Sequence, residues 1–354
     1  MNRLKQFLFR RFRAHETNIH ELNYLFWECT QRCNLSCLHC GSDCTSGAEF
    51  ADMPAADFLS ALNTIPPSAE PIMVVITGGE PLLRSDLEEC GREIRKRKMR
   101  WGIVSNGYNY TQERHSSLLA AGMGALTISL DGLEEQHNWL RNTKKDFSRV
   151  CNAIKIAAAS RRLNFDVVTC VNKKNIGSLE EIAELLNNLG VISWRLFTIA
   201  PIGRAAGNPD LLLTADEMQQ LMDFIAKKRK STKTDIKFSC EGYTGRYEGK
   251  VRDGHFFCRA GINIASVLVD GSISACPNID RSFVQGSIYT DNFYEIWNKR
   301  FQPFRNRAWT KTGTCLNCKH YINCTGSGMH LWHGNKDEIL ICHNHLIESS
   351  AGKF

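Results

Sequence analysis

The 354-residue chain lacks any stretch of about 18 uninterrupted apolar residues, so nothing in it reads as a helix that spans a bilayer. Repeats and low-complexity tracts are missing too. Hydrophobic residues make up 43% and charged residues 23%, which sets aside a disordered, collagen-like or polytopic membrane chain. Acidic residues are absent from positions 1–13, where Arg3, Lys5, Arg10, Arg11 and Arg13 stand. The formal net charge of +7 less those five leaves +2 for the rest, too little for nucleic-acid binding by bulk charge. A secretory signal is not expected either, because Leu4, Phe7, Leu8 and Phe9 give way at once to Arg10 and Arg11.

Cysteine is what the chain has in excess: 15 residues, an odd number. A secreted disulfide framework is usually shorter and even in count. The expectation is a reducing cytoplasm, where clustered thiols mean metal or redox chemistry. Residues 1–20 read as a basic arm. It is either a solvated helix or a peripheral contact with an anionic membrane surface or a partner.

Between about 21 and 234, short apolar or aromatic runs alternate with helical patterns. The runs lie at 22–28, 72–77, 101–105, 125–130, 164–170 and 193–199. Capping boxes are expected at Ser85/Glu88, Ser178/Glu181 and Thr214/Glu217, and Asp52 with Pro54 marks another helix start. Such alternation implies right-handed βαβ crossovers and a parallel sheet. The fold class expected is α/β, a partial (β/α)6 TIM-like barrel, although pattern alone leaves a doubly wound sheet open. A smaller, cysteine-rich α+β domain is expected at 235–346 and a tail at 347–354. Within it, Val267–Val269 and Ser272–Ser274 read as a hairpin turning at Asp270-Gly271, followed by a helix near 290–304.

Just past the first run comes Cys33-Asn-Leu-Ser-Cys37-Leu-His-Cys40. Three thiols this close can hold one inorganic cluster. Four thiolates would close a [4Fe–4S] cube, whereas three leave one iron open to an exchangeable ligand. The loop is expected at the carboxyl end of the first strand, where such folds place their active sites. Structural zinc wants four ligands, and Cys29, Cys44 or His39 offers a fourth, so spacing alone leaves zinc open. The second run ends Thr77-Gly78-Gly79-Glu80-Pro81, whose glycines let backbone approach a ligand closely.

Together these segments resemble the radical S-adenosylmethionine (radical SAM) enzymes. Their CxxxCxxC motif is matched by Cys33, Cys37 and Cys40, and their Gly-Gly-Glu-Pro segment by Gly78, Gly79, Glu80 and Pro81. Ser105-Asn106-Gly107 is similar to the family's third-strand element. Ser129-Leu130-Asp131-Gly132 is similar to the fourth-strand element near the SAM ribose. Arg141 stands where an arginine can meet the SAM carboxylate, and 201–205 resembles the stretch after the sixth strand. His39 departs from the aromatic usual beside the adenine, and its imidazole can stack in the same place. The resemblance implies that SAM chelates the open iron, is cleaved reductively, and yields a 5′-deoxyadenosyl radical that abstracts hydrogen. An electron donor of flavodoxin or ferredoxin type is implied with it.

The C-terminal cysteines resemble the SPASM extension of peptide-modifying members. Cys258, Gly271 and Cys276 fit its first half, and Cys315, Cys318, Cys324 and Cys342 its second, but Gly328 stands where a further cysteine belongs. The resemblance implies one complete auxiliary [4Fe–4S] cluster on the last four cysteines. A second, at Cys258 and Cys276, is under-ligated unless a residue such as His330 or His333 steps in. A single cluster on Cys258, Cys276, Cys315 and Cys318, as in shorter twitch domains, and a zinc ribbon stay open alternatives. Cys29, Cys44, Cys90, Cys151, Cys170 and Cys240 remain. Cys90, Cys151 and Cys170 read as buried small hydrophobes, while Cys44 is placed to reach the active-site mouth.

The function implied is modification of a peptide or protein, such as a small exported peptide or lipoprotein, with a separate peptide-recognition protein because few residues precede the first strand. The alternatives are radical chemistry on a small molecule or cofactor precursor such as a tetrapyrrole, and a non-catalytic iron–sulfur or zinc protein. Sulfatase-type maturation fits less well, since Pro277 rather than aspartate follows Cys276.

Overall fold

A computed structural model describes residues 3–351 except 68, 70, 240, 335 and 336. Cys240 therefore lies outside the described residues, as do residues 1–2 of the arm and 352–354 of the tail. The apolar runs form β1 (Tyr24–Glu28), β2 (Met73–Thr77), β3 (Arg100–Ser105), β4 (Ala125–Ser129), β5 (Asn164–Val171) and β6 (Ser193–Thr198). They lie side by side in chain order, all parallel. Helix α1 (Arg3–Ile19) precedes β1. Between the strands run α2 (Ala55–Asn63), α3 (Leu87–Lys96), α4 (Gln112–Ala120), α5 (Glu134–Leu140), α6 (Phe147–Ala158) and α7 (Leu179–Asn188), and α8 (Ala215–Ser231) follows β6.

Burial alternates along each strand. In β5, Phe165, Val167, Thr169 and Val171 are buried, while Asp166, Val168 and Cys170 on the other face are only half-buried. On β1, Trp27 is fully buried and stacks on Phe58 of α2 with ring centroids 4.3 Å apart. Burying a side chain of this size stabilises the fold by about 2–3 kcal/mol. The concave face is less filled. Tyr24, Phe26, Met73, Val75, Asp166 and Arg195 help line a cavity of about 860 Å³ there.

The sheet is larger than six strands. A seventh, β7 (Asp235–Phe238), pairs parallel with β6. Its Asp-Ile-Lys-Phe sequence alternates charged and apolar residues, with Ile236 and Phe238 buried, so no apolar run announces it. On the far edge, β8 (Ile264–Val267) pairs parallel with β1, placing Tyr24 opposite Ile264 and Trp27 opposite Val267. β9 (Ser272–Ser274) and β10 (Gly286–Ser287) continue antiparallel. The cysteine-rich segment thus extends the barrel sheet, and the boundary expected near 235 falls at the start of a barrel strand.

Local expectations were met unevenly. Thr214 and Glu217 form the reciprocal cap of α8, whose acidic first turn and basic last turn suit the helix dipole. Ser178 instead accepts from Gln136 Nε2 at 2.8 Å, and α3 begins after Asp86, which Arg84 holds, with no Ser85 cap. The β8–β9 turn closes Gly271 N–H onto the Leu268 carbonyl at 2.9 Å, so Val269-Asp270 occupies its centre, one residue earlier than expected. The helix expected at 290–304 is two pieces, α9 (Phe293–Lys299) and α10 (Gln302–Arg305). Pro303 has no N–H to carry α9 onward. Then come α11 (Tyr321–Cys324) and α12 (His343–Ala351). Residues 347–351, expected as tail, belong to α12, where Ile347 is buried and Ser350 Oγ donates to Asp216 on α8 at 2.7 Å.

The basic arm is a docked helix. Phe9 packs on His255 and Phe257, Glu16 pairs with Arg259 at 2.6 Å, and Arg13 donates to the carbonyls of Asn323 and Ile322 at 2.6 and 2.8 Å. Leu4, Phe7 and Leu8 stay exposed. Among the described residues, no helix is long and apolar enough to cross a membrane.

Candidate metal centre and cofactor pocket

The loop that leaves β1 carries Cys33, Cys37 and Cys40 without regular secondary structure, so its shape must come from partners. Gly79 and Glu80 donate backbone N–H groups to the carbonyls of Thr30 and Arg32 at 2.7 and 2.9 Å. Only glycines permit this approach. A Cβ on Gly78, whose φ is +134°, would lie 2.1 Å from the Thr30 carbonyl, and one on Gly79 2.2 Å from that of Arg32. Farther along, Leu38 N–H bonds the Leu140 carbonyl at 2.9 Å at the end of α5. After β6, Arg204 donates from its backbone to the Cys40 carbonyl at 3.0 Å. Its guanidinium reaches the Cys37 carbonyl at 2.7 Å, Asp43 at 2.6 Å and the Cys44 carbonyl at 3.1 Å. Sequence reading placed Arg204 in a family-like stretch but not on the cysteine loop.

Cys33, Cys37 and Cys40 line one cavity of about 150 Å³ together with His39, Cys44, Gly78, Gly79, Ser129, Arg141 and Arg204. Glu80, Pro81 and Asp131 stand behind its wall. Glu80 is fully buried. Its carboxylate accepts from the Ser105 hydroxyl (2.8 Å), the Asn106 N–H (2.8 Å) and the Leu82 N–H (3.1 Å). It thereby ties β3 to the glycine turn, and burial pushes its pKa up to about 7. Asn106 Nδ2, held this way, donates to Asn34 at 2.9 Å and lies 3.9 Å from Cys33 Sγ. Pro81 opens a short 3₁₀ turn.

Arg141 is buried, with Nε on Asp131 Oδ2 at 2.7 Å and Nη1 3.7 Å from Cys37 Sγ. Asp131 spends its other oxygen on the Cys170 N–H at 2.8 Å, so it acts as a hub that aims the guanidinium. Burial holds His39 near 4, and its Nδ1 is buried without a hydrogen-bond partner. Burial pushes Cys33 up to about 11. Cys40 is drawn down to about 6 because the Cys44 thiol donates to it, and Cys44 rises in turn.

In the C-terminal segment, Cys315, Cys318, Cys324 and Cys342 line a second cavity, about 290 Å³, beside Tyr243, Tyr321 and His345. Short turns place them: Cys318 N–H bonds the Cys315 carbonyl at 3.3 Å, and Tyr321 N–H the Cys318 carbonyl at 3.1 Å. Cys258 lies apart. Burial opposes its ionisation, yet the Arg307 guanidinium and the N–H groups of Met329 and Ala260 outweigh that and lower its pKa. The structure thus groups Cys315 and Cys318 with Cys324 and Cys342, not with Cys258 as a twitch arrangement would.

Spacing also speaks to zinc. Sulfurs bound at about 2.3 Å to one tetrahedral ion sit about 3.8 Å apart. Among the described residues, one set of three donor side chains has its ligand atoms all within 4.8 Å: His39, Asp131 and Cys170. Its carboxylate is already committed to Arg141 and Cys170 N–H. Among the described residues neither thiol group is gathered within 4.8 Å as one ion requires, and a cube of four irons holds its thiolates farther apart than that.

Comparison with known proteins covers the first nest in full and the second as far as Cys318. The Radical SAM superfamily model matches residues 27–186, and the SPASM iron–sulfur cluster-binding domain matches residues 258–319. The chain is 26% identical over 318 residues to the AdoMet-dependent heme synthase of Nitratidesulfovibrio vulgaris, covering 85% of each. It is 28% identical over 313 residues to the mycofactocin maturase MftC of Mycobacterium tuberculosis, covering 86% of this chain and 78% of MftC. The solved structure of native anSMEcpe with bound AdoMet and Cp18Cys peptide superposes with a TM-score of 0.71 at 17% identity, over 93% of this chain and 95% of that one.

Proposed function

We propose, for a chain that belongs to the radical SAM superfamily and carries a C-terminal SPASM domain, that the substrate is a peptide or protein seated in the crevice between the cysteine loop and that domain. The protein is a radical SAM enzyme with [4Fe–4S] clusters and SAM as cofactors. When bound, these supply one-electron cleavage of the sulfonium and hydrogen-atom abstraction from an unactivated C–H. The chain's own residues do the rest. Cys33, Cys37 and Cys40 hold three irons and leave the fourth open. The Gly78-Gly79 backbone, Ser129 and Arg141 position SAM, with His39 beside them. Asp131, Glu80 and Arg204 keep those groups in place from behind.

One observation carries the peptide reading. The crevice, about 460 Å³, is lined by Glu28, Gln31, Asp43, Glu49, Asp270 and Asp280, with Asp43 paired to Arg204, Asp270 and Glu28 to Arg281, and Asp280 to His333. Walls of paired charges and hydrogen-bonding groups suit the polar backbone of a peptide better than the apolar face of a tetrapyrrole. MftC, a maturase by name, and the peptide-bound anSMEcpe support the same choice. The likeness to heme synthases favours a small molecule and defines the competing outcome. A flavodoxin- or ferredoxin-type donor, and a separate recognition protein, complete the proposal.

The test is mass spectrometry of peptides encoded beside the gene, co-expressed with the enzyme or its Cys40→Ala variant under anaerobic conditions. A mass change that needs Cys40 supports the reading. Formation of 5′-deoxyadenosine with every peptide unchanged moves the substrate to the small-molecule class. Intact SAM from a fully loaded enzyme overturns the catalytic reading itself.

A further inference from the structure

The SPASM cysteine pattern breaks at Gly328, leaving Cys258 and Cys276 without the thiol that position would supply. The space is not vacant. A Cβ built on Gly328 falls 2.5 Å from the Glu241 carbonyl oxygen and 2.6 and 2.9 Å from Cε1 and Nδ1 of His330, so backbone and imidazole together occupy the volume a cysteine side chain there would need. Its Nε2 is buried and makes no hydrogen bond. Glu241 Oε2, its ion-pair neighbour, is 3.8 Å away, beyond hydrogen-bond reach. An ion pair that long leaves the imidazole nitrogen without a close ligand of its own.

Cys258 lies beside this ring. The Cys258 thiol accepts from the backbone N–H of Met329, the residue between Gly328 and His330, and from the Arg307 guanidinium. Pro277, directly after Cys276, lines the same crevice wall as His330. Cys258, the glycine that replaces a third cysteine and the histidine two residues on therefore lie together, and the loop directly after Cys276 shares a crevice wall with that histidine.

We propose that His330 substitutes for the missing cysteine and binds, through its imidazole, an auxiliary iron–sulfur cluster held by Cys258 and Cys276. Exchanging a thiolate for neutral imidazole removes one negative charge from the cluster. It raises the reduction potential relative to all-cysteine ligation, as histidine does in Rieske centres. A cluster so tuned accepts an electron more readily than its four-thiol neighbour at Cys315, Cys318, Cys324 and Cys342. It also stands on the crevice, on the substrate's side.

The full chain carrying Cys33→Ala, Cys37→Ala and Cys40→Ala isolates the auxiliary centres. Reconstituted without oxygen and reduced, it is examined by pulsed EPR with ¹⁴N- and ¹⁵N-histidine, alongside iron and sulfide content. The expected result is a directly bound histidine nitrogen whose coupling follows the isotope. Adding His330→Ala removes that coupling, and iron falls to about half, one of two remaining clusters. His330→Cys, which offers a thiol from the position of the ring itself, restores the iron without the nitrogen signal. No histidine coupling in the parent, or coupling and iron that survive His330→Ala, overturns the proposal. So does a His330→Cys variant as depleted as His330→Ala, since the ring would then act by packing alone. SAM cleavage by His330→Ala with the first three cysteines intact is read separately, so failure here leaves the peptide reading standing.

Discussion

The two thiol nests are built in opposite ways. Cys33, Cys37 and Cys40 sit on a loop whose hydrogen bonds run to distant parts of the chain: Gly79 after β2, Leu140 on α5 and Arg204 after β6. Of the C-terminal thiols, Cys315, Cys318 and Cys324 are placed largely by neighbours in sequence, through turns such as Cys318 N–H to Cys315 carbonyl, while Cys342 sits beside His343, which meets Thr198 of β6 at 2.9 Å. A three-thiol cluster must offer one iron in a fixed direction to an exchangeable ligand, so its ligands need outside positioning. Four thiolates close a cluster, and the cluster itself then fixes the turns around it.

The strongest way to break this comparison is Cys40→Ala. SAM cleavage should fall to background, at least about 10³-fold, while the C-terminal iron stays. Anaerobic iron analysis beside a 5′-deoxyadenosine assay checks both halves. Loss of iron from both nests would show them to be coupled. Next in size is Arg204→Ala, which deletes the guanidinium bonds to Cys37, Asp43 and Cys44. Groups that position metal ligands typically matter by about 10–100-fold, and that drop in SAM cleavage is expected, again with the second nest intact. An unchanged rate would mean that backbone contacts alone shape the loop.

What was legible in the sequence follows the same division. The six apolar runs became strands because parallel strands packed under helices need such runs. β7 stayed hidden because Asp235 and Lys237 interrupt its two buried residues, and the β1–β8 pairing because it joins Tyr24 to Ile264 across most of the chain. The cysteines showed through spacing. Their supports did not: Arg204 and Asn106 stand in family-like stretches, but only the folded chain brings them to Cys37 and Cys33. Glu80 was read as a cofactor residue, whereas its carboxylate faces Ser105 and Asn106 inside the wall. The gap at Gly328 was plain, and the ring that fills it was not, since a side chain's direction is set by packing.

Glu80 gives a sharper, smaller test. A carboxyl buried until it titrates near 7 keeps its proton in the folded protein at pH values where the unfolded chain has released it. Below about pH 4.5 both states are protonated. Between there and 7 the folded state binds more protons, so stability falls as pH rises, and above 7 the effect levels off. Glu80→Gln mimics the neutral acid and removes this dependence, at a cost of about 1–3 kcal/mol from one mismatched hydrogen bond. Melts of the wild type and variant at pH 5, 6, 7 and 8 should therefore show a stability difference that favours the wild type most at low pH. A constant difference would mean that the carboxyl is ionised throughout.

The smallest effect probes the second nest from outside. Arg13 of α1 donates to the carbonyls of Asn323 and Ile322, directly before Cys324, which makes it a long-range brace on this end of the nest, as the Thr198–His343 bond is beside Cys342. The pair is partly exposed, so Arg13→Ala should cost only about 1 kcal/mol. Its location matters more than its size. If local turns and the bound cluster hold the four thiols, the variant should lose C-terminal iron to a chelator only slightly faster, about fivefold at most for that free energy, and SAM cleavage should not change. Much faster loss would mean that α1 positions this nest as the barrel positions the first, and the contrast between a nest shaped by the fold and one shaped by its own turns would fail.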